Sequence, residues 1–110
     1  MLPADPAHRR AASLALALEE LVRSCAPEPG LALIPNPTLR KRAERVANGA
    51  DHPALLRKDA PDWAGTEQAQ AFTRALSGLL AATAPVRRGG LLRAPSAAAL
   101  AEATALLGDG

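Results

Sequence analysis

Aromatic side chains are almost absent from this chain: it has one Phe, one Trp and no Tyr. A protein that binds single strands by stacking bases on aromatic platforms lacks the platforms here. Cysteine is nearly as scarce, and the single Cys25 cannot close an internal disulfide, so nothing points to an oxidising compartment. β-Branched aliphatic residues are few as well, with three Val and one Ile, which argues against a sheet. No apolar run approaches the ~18 residues of a membrane span. Arg9-Arg10 ahead of the apolar residues 11–18 imitates an export signal, but Glu19, Glu20 and Arg23 interrupt the stretch. The expectation is a cytoplasmic protein without a membrane segment.

What remains is a chain of 110 residues, 48% hydrophobic, with about half of that fraction alanine. The length fits one domain, residues 1–110, with one modest core. Leucine must carry that core, because alanine removes little area from water. Large apolar content lies near the border below which chains stay unfolded, and a partner helix would relieve this. Ala and Leu are strong helix formers, so the fold class read from composition is all-α.

Periodicity places the helices. Pro6 after Asp5 marks a helix start, and Ala11, Leu14, Leu18, Leu21, Val22 and Cys25 follow at offsets 0, 3, 7, 10, 11 and 14. Pro27 and Pro29 forbid continuation, giving a helix over 6–25. Leu31 to Ile34 reads as a buried extended segment without a strand partner. Asn36-Pro37 starts a second helix, 37–47, with Asn36 or Thr38 as cap, Leu39, Ala43, Val46 and Ala47 as its apolar stripe, and Asn48-Gly49 as its end. A short helix is expected over 52–58, with Asp51 as cap. Thr66 opens a longer one, 66–84, in which Ala69, Phe72, Leu76, Leu79, Leu80 and Thr83 share a face. Ser96 caps the last, 96–107, with Leu100, Ala103 and Leu107 inward. The predicted architecture is a small bundle of four to five helices joined by Pro/Gly-rich connections.

Chemistry-bearing constellations are sparse. One Cys and two His, His8 and His52, lie in separate segments without metal-ligand spacing, and no metal site or cofactor is expected. No nucleophile elbow, P-loop or dinucleotide glycine pattern occurs. His52 between Asp51 and Asp59 is the only acid and base grouping. Simple exposure for His52, and solvent-facing roles for Glu19 and Glu20, are the expectation. Cys25 reads as a small core residue. The chain reads as a protein that is not an enzyme.

Two binding readings remain. Formal net charge is only +2, but residues 37–58 hold Arg40, Lys41, Arg42, Arg45, Arg57 and Lys58 against Glu44 and Asp51, a local balance of +4. These six cations are candidate contacts to a DNA or RNA backbone, without any base-reading code. Against this reading, Glu44 can pair with Arg40. Arg87-Arg88 beside two glycines is a possible extension of the same surface. The other reading is a small interaction module, or accessory subunit, that binds a protein partner or a second copy of itself. Its candidate interface residues are Trp63, an isolated aromatic in a loop, and the small-residue row Ala71, Ala75, Gly78 and Ala82. Two helical pieces around Asn48-Gly49-Ala50 invite comparison with helix-turn-helix proteins, but the second is too short and too poor in Asn, Gln, Ser and Thr to read bases.

Overall fold

Among the described residues four α-helices and one 3-10 turn form. The computed structural model describes residues 6–28, 31–56 and 69–108. Helix α1 runs Pro6–Cys25, α2 Pro37–Ala47, α3 Ala69–Thr83 and α4 Ala97–Gly108, with the 3-10 turn at Pro53–Leu56 between α2 and α3. The described residues contain no strand. Two expected caps, Asp5 and Thr66, lie outside the described residues.

Helix α1 is the centre of the fold: it packs against α2, α3, α4 and the 3-10 turn. The stripe of Ala11, Leu14, Leu18, Leu21, Val22 and Cys25 is buried as its period requires, but Ala12, Ser13, Ala15 and Ala17 are buried too. A helix enclosed on several sides needs small side chains wherever a neighbour approaches, and alanine loses no rotamer freedom there. Phe72, Leu76, Leu79 and Thr83 of α3, Ala43 and Val46 of α2, and Leu100 and Ala103 of α4 complete the core.

The ends of α2 follow from local chemistry. Asn36 Oδ1 accepts from the backbone N–H of Thr38 at 2.8 Å and of Leu39 at 3.3 Å, so Asn36, not Thr38, is the cap. Pro37 stands in the first turn, where its missing N–H costs nothing. At the other end Gly49, at φ 116°, turns the chain so that its N–H reaches Val46 O and that of Ala50 reaches Arg45 O, each at 3.0 Å. This is the double-bonded glycine termination that satisfies orphan helix carbonyls. Asn36→Ala is expected to cost about 1 kcal/mol, read as a lower urea midpoint with an unchanged m-value.

Two expectations are corrected. The segment Leu31 to Ile34 is not buried: Leu31, Leu33 and Ile34 are 42%, 43% and 55% exposed. Its backbone is tied to the end of α1, with Leu33 N–H on Cys25 O and Asn36 N–H on Ser24 Oγ, both at 2.7 Å. Pro35, not Ile34, is the residue that enters the interior. The short helix expected over 52–58 is a 3-10 turn of four residues, Pro53–Leu56. Its cap is the His52 ring, whose Nδ1 accepts from Ala54 N–H at 3.0 Å, while Asp51 pairs with Arg9 instead.

Candidate interaction surface

Arginine side chains close the C-terminal ends of two helices. Helix carbonyls in the last turn have no intrahelical donor, and the dipole favours a cation beside them. At α2, the Arg10 guanidinium donates to Val46 O and to Ala47 O, the latter at 3.1 Å. At α3, Arg40 Nη2 donates to Leu80 O at 2.6 Å, and Arg40 Nε to Thr83 Oγ1 at 2.9 Å. Thr83 Oγ1 in turn donates to Leu79 O at 2.8 Å. Arg93 completes that end, with Nε on Ala84 O at 2.6 Å and Nη2 on Ala81 O at 3.2 Å.

This places the predicted phosphate contacts in two groups. Arg40 is turned inward, its side chain only 12% exposed, and its Nη1 pairs with Glu44 at 2.5 Å. Arg42 bridges to α1 through Glu20 at 2.9 Å. Lys41 and Arg45, one turn apart on α2, are exposed and have no acidic partner among the described residues. Arg57 and Lys58 lie outside the described residues.

Glu20 and His52, expected to face solvent, belong to an interhelical network instead. His52 is buried at 4% exposure, and its backbone N–H donates to the buried Ser13 Oγ at 3.0 Å. Because Nδ1 is an acceptor, the proton sits on Nε2, which faces Glu20 Oε1 at 3.4 Å. Ser13, His52 and Glu20 therefore share a region without forming a nucleophilic triad: both ring nitrogens are engaged, and neither contacts the hydroxyl. No buried side-chain nitrogen or oxygen among the described residues lacks a partner. Nor does any group of three or more His, Cys, Asp or Glu converge there.

Cys25 is fully buried, and burial pushes its thiol from 9.0 up to about 11. The unfolded chain ionises first, so the contribution of Cys25 to stability is unchanged below about pH 9 and is lost as the pH climbs towards 11. Urea midpoints at pH 8, 9.5 and 10.5 should show that decline, and Cys25→Ala should lessen it.

The small-residue row is used largely within the chain. Ala75 packs against the core, and Ala71 lines a hollow between α3 and α4 with Arg74, Glu102, Ala105 and Leu106. Ala82 is half-buried. Gly78 alone is open, with nothing within 4 Å of where a Cβ would stand. Trp63 lies outside the described residues.

The apolar surface that does reach solvent lies elsewhere. Besides Leu31, Leu33 and Ile34, Val86 and Leu91 are 82% and 87% exposed. Ile34 and Leu91 meet across a groove of about 370 Å³ bounded by Pro37, Arg40, Lys41 and Glu44 of α2 and by Gly90 and Leu92. A larger hollow of about 670 Å³ lies between the end of α1, the residues that follow it and α4, walled by Val22, Leu31, Leu100 and several alanines, with Glu28 and Thr104 among its polar residues. Sequence periodicity missed Ile34 and Leu91 as surface residues. The available signal was their position in short apolar runs that follow a Gly, Leu31 to Ile34 and Leu91-Leu92, outside any helical repeat.

No protein-family model matches the chain, and neither a curated protein nor a solved structure shows significant similarity to it. Among the described residues no helix is long and apolar enough to cross a membrane.

Proposed function

We propose that this protein is a small non-catalytic helical interaction module that binds another polypeptide through the groove lined by the exposed apolar side chains of Ile34 and Leu91. The observation that carries the reading is the meeting of Ile34 and Leu91, both largely exposed, across one groove. Large apolar side chains left exposed along one groove of a small domain mark a place that another chain can cover. The polar chemistry of the interior is consistent with it, since among the described residues no buried side-chain nitrogen or oxygen is left without a partner.

Light scattering behind size-exclusion chromatography tests the homotypic form. Association through this patch persists at about 1 M salt, where the Debye length is near 3 Å, and is lost in Ile34→Asp/Leu91→Asp. A monomer at every concentration removes the second copy and leaves a different chain as partner.

A second reading, contact with a nucleic-acid backbone, draws on exposed Lys41, Arg45, Arg87 and Arg88, which have no acidic partner among the described residues. With Arg40 and Arg42 engaged internally, the footprint is smaller than the charge count of 37–58 implies. Such binding disappears between about 50 and 200 mM salt, and Lys41→Ala/Arg45→Ala weakens it without regard to base sequence.

A further inference from the structure

We infer that the groove between Ile34 and Leu91 receives an acidic amphipathic segment of a different protein, its apolar side chains on Ile34, Leu91 and Leu92 and its carboxylates beside Lys41, Arg45 and Arg87. The inference rests on the interaction-module reading and names the partner.

Charge bookkeeping among the described residues selects that partner. Of the six described carboxylates four are already matched, Glu19 by Arg23, Glu20 by Arg42, Glu44 by Arg40 and Asp51 by Arg9, while Glu28 and Glu102 lie on other hollows, one beside the end of α1 and one between α3 and α4. Lys41, Arg45, Arg74, Arg87 and Arg88 have no acidic partner. Three of these five stand near one groove. Lys41 lines it, and Arg45 continues its row one turn along α2. Arg87 adjoins it through the turn closed by Gly90 N–H on Arg87 O at 2.9 Å, where the Arg87 Cγ lies 3.4 Å from the position of a Gly90 Cβ. The one carboxylate in the wall, Glu44, is neutralised by Arg40.

An apolar floor with an unneutralised cationic rim rejects some occupants by the same physics. A second copy seated symmetrically would set Lys41 and Arg45 against their own equivalents, and like charges facing each other across an interface oppose association. Among the described residues the matched carboxylates could relieve this only by abandoning Arg9, Arg23, Arg40 or Arg42, and the two others, Glu28 and Glu102, do not line this groove. A phosphate backbone would meet the cations but leave Ile34 and Leu91 uncovered. An acidic segment with apolar side chains on one face satisfies both halves of the surface, the apolar half supplying affinity and the charged half selectivity.

The experiment uses fluorescence anisotropy with two labelled peptides of about 15 residues, Leu at helical spacing in both, Glu at the polar positions of one and Lys at those of the other. At about 50 mM salt the Glu peptide binds the full-length protein at least tenfold more tightly than the Lys peptide. Lys41→Glu/Arg45→Glu reverses that preference, and Ile34→Asp/Leu91→Asp weakens the Glu peptide about tenfold or more. All four positions are at the surface, so far-UV circular dichroism of the variants should match the parent. Equal binding of both peptides, lost in Ile34→Asp/Leu91→Asp, overturns the acidic partner and leaves the interaction module standing. If neither peptide binds, or binding ignores Ile34 and Leu91, both readings fall. Displacement of the Glu peptide by mixed duplex RNA, with RNA binding abolished by Lys41→Glu/Arg45→Glu, also overturns the inference and assigns the rim to phosphates.

Discussion

Replacing Leu18 by Ala is expected to lower the unfolding free energy by about 3 to 4 kcal/mol, the middle of the range for deleting a buried leucine side chain. Leu18 is fully buried on α1, the helix that meets every other described element. A cavity there sits where no single neighbour can move in without parting from α1. Small domains keep roughly 5 to 15 kcal/mol in reserve, and a core made of leucine and alanine with one Phe belongs near the lower end. Leu18→Ala should therefore lose most of its cooperative urea transition. Leu33→Ala, at a 43% exposed position, is the control and should change stability by no more than about 0.5 kcal/mol. A Leu18→Ala cost below about 1 kcal/mol would mean that the interior collapses freely around the gap, which a close-packed centre cannot do.

Arg40→Ala is the second large effect, with an expected loss of about 2 to 3 kcal/mol. The guanidinium joins Leu80 O, Thr83 Oγ1 and Glu44 in one fork, and truncation leaves the carbonyl without that donor in a half-buried site. Arg40→Lys keeps the charge but not the planar geometry, and should recover less than half of the loss. Lys41→Ala and Arg45→Ala should stay within about 0.5 kcal/mol of the parent. Hydrogen exchange in the last turn of α3 gives a second readout, with faster exchange in Arg40→Ala alone. Were Arg40 a solvated phosphate ligand, its replacement would be as silent as that of Lys41.

The boundaries of α1 and α2 were legible because their signals are local. Pro6, the prolines after Cys25, Asn36-Pro37 and Asn48-Gly49 act through their own backbone geometry, and no distant residue overrides them. The inward residues of α3 and α4 were legible for a related reason, since leucine at helical spacing has one sensible destination. Alanine has no such preference. Ala12, Ala15 and Ala17 were unreadable because their burial depends on how many neighbours surround α1, a property of the assembled bundle. The four cations on α2 likewise looked equivalent along the chain. Whether Arg40 or Lys41 finds a carbonyl is settled by where α3 ends, 40 residues further on. Glu20 and His52 carried the same ambiguity, resolved by the approach of α2 and the 3-10 turn to α1. The groove at Ile34 and Leu91 joins two irregular segments whose meeting no periodicity encodes.

The arginine forks at the helix ends bear on how the chain folds. Arg10 lies 36 and 37 residues from the carbonyls it closes, and Arg40 lies 40 and 43 residues from its partners on α3. Neither helix carries its own terminator in full. A peptide of residues 69–83 alone would have to leave its final carbonyls to water, and helices of that length are marginal without help. The last turn of α2 has its own glycine termination to which Arg10 adds, whereas the last turn of α3 is completed only after the distant Arg40 has come to it. Secondary structure and tertiary structure are completed in the same step, and partly folded forms with one finished helix are disfavoured.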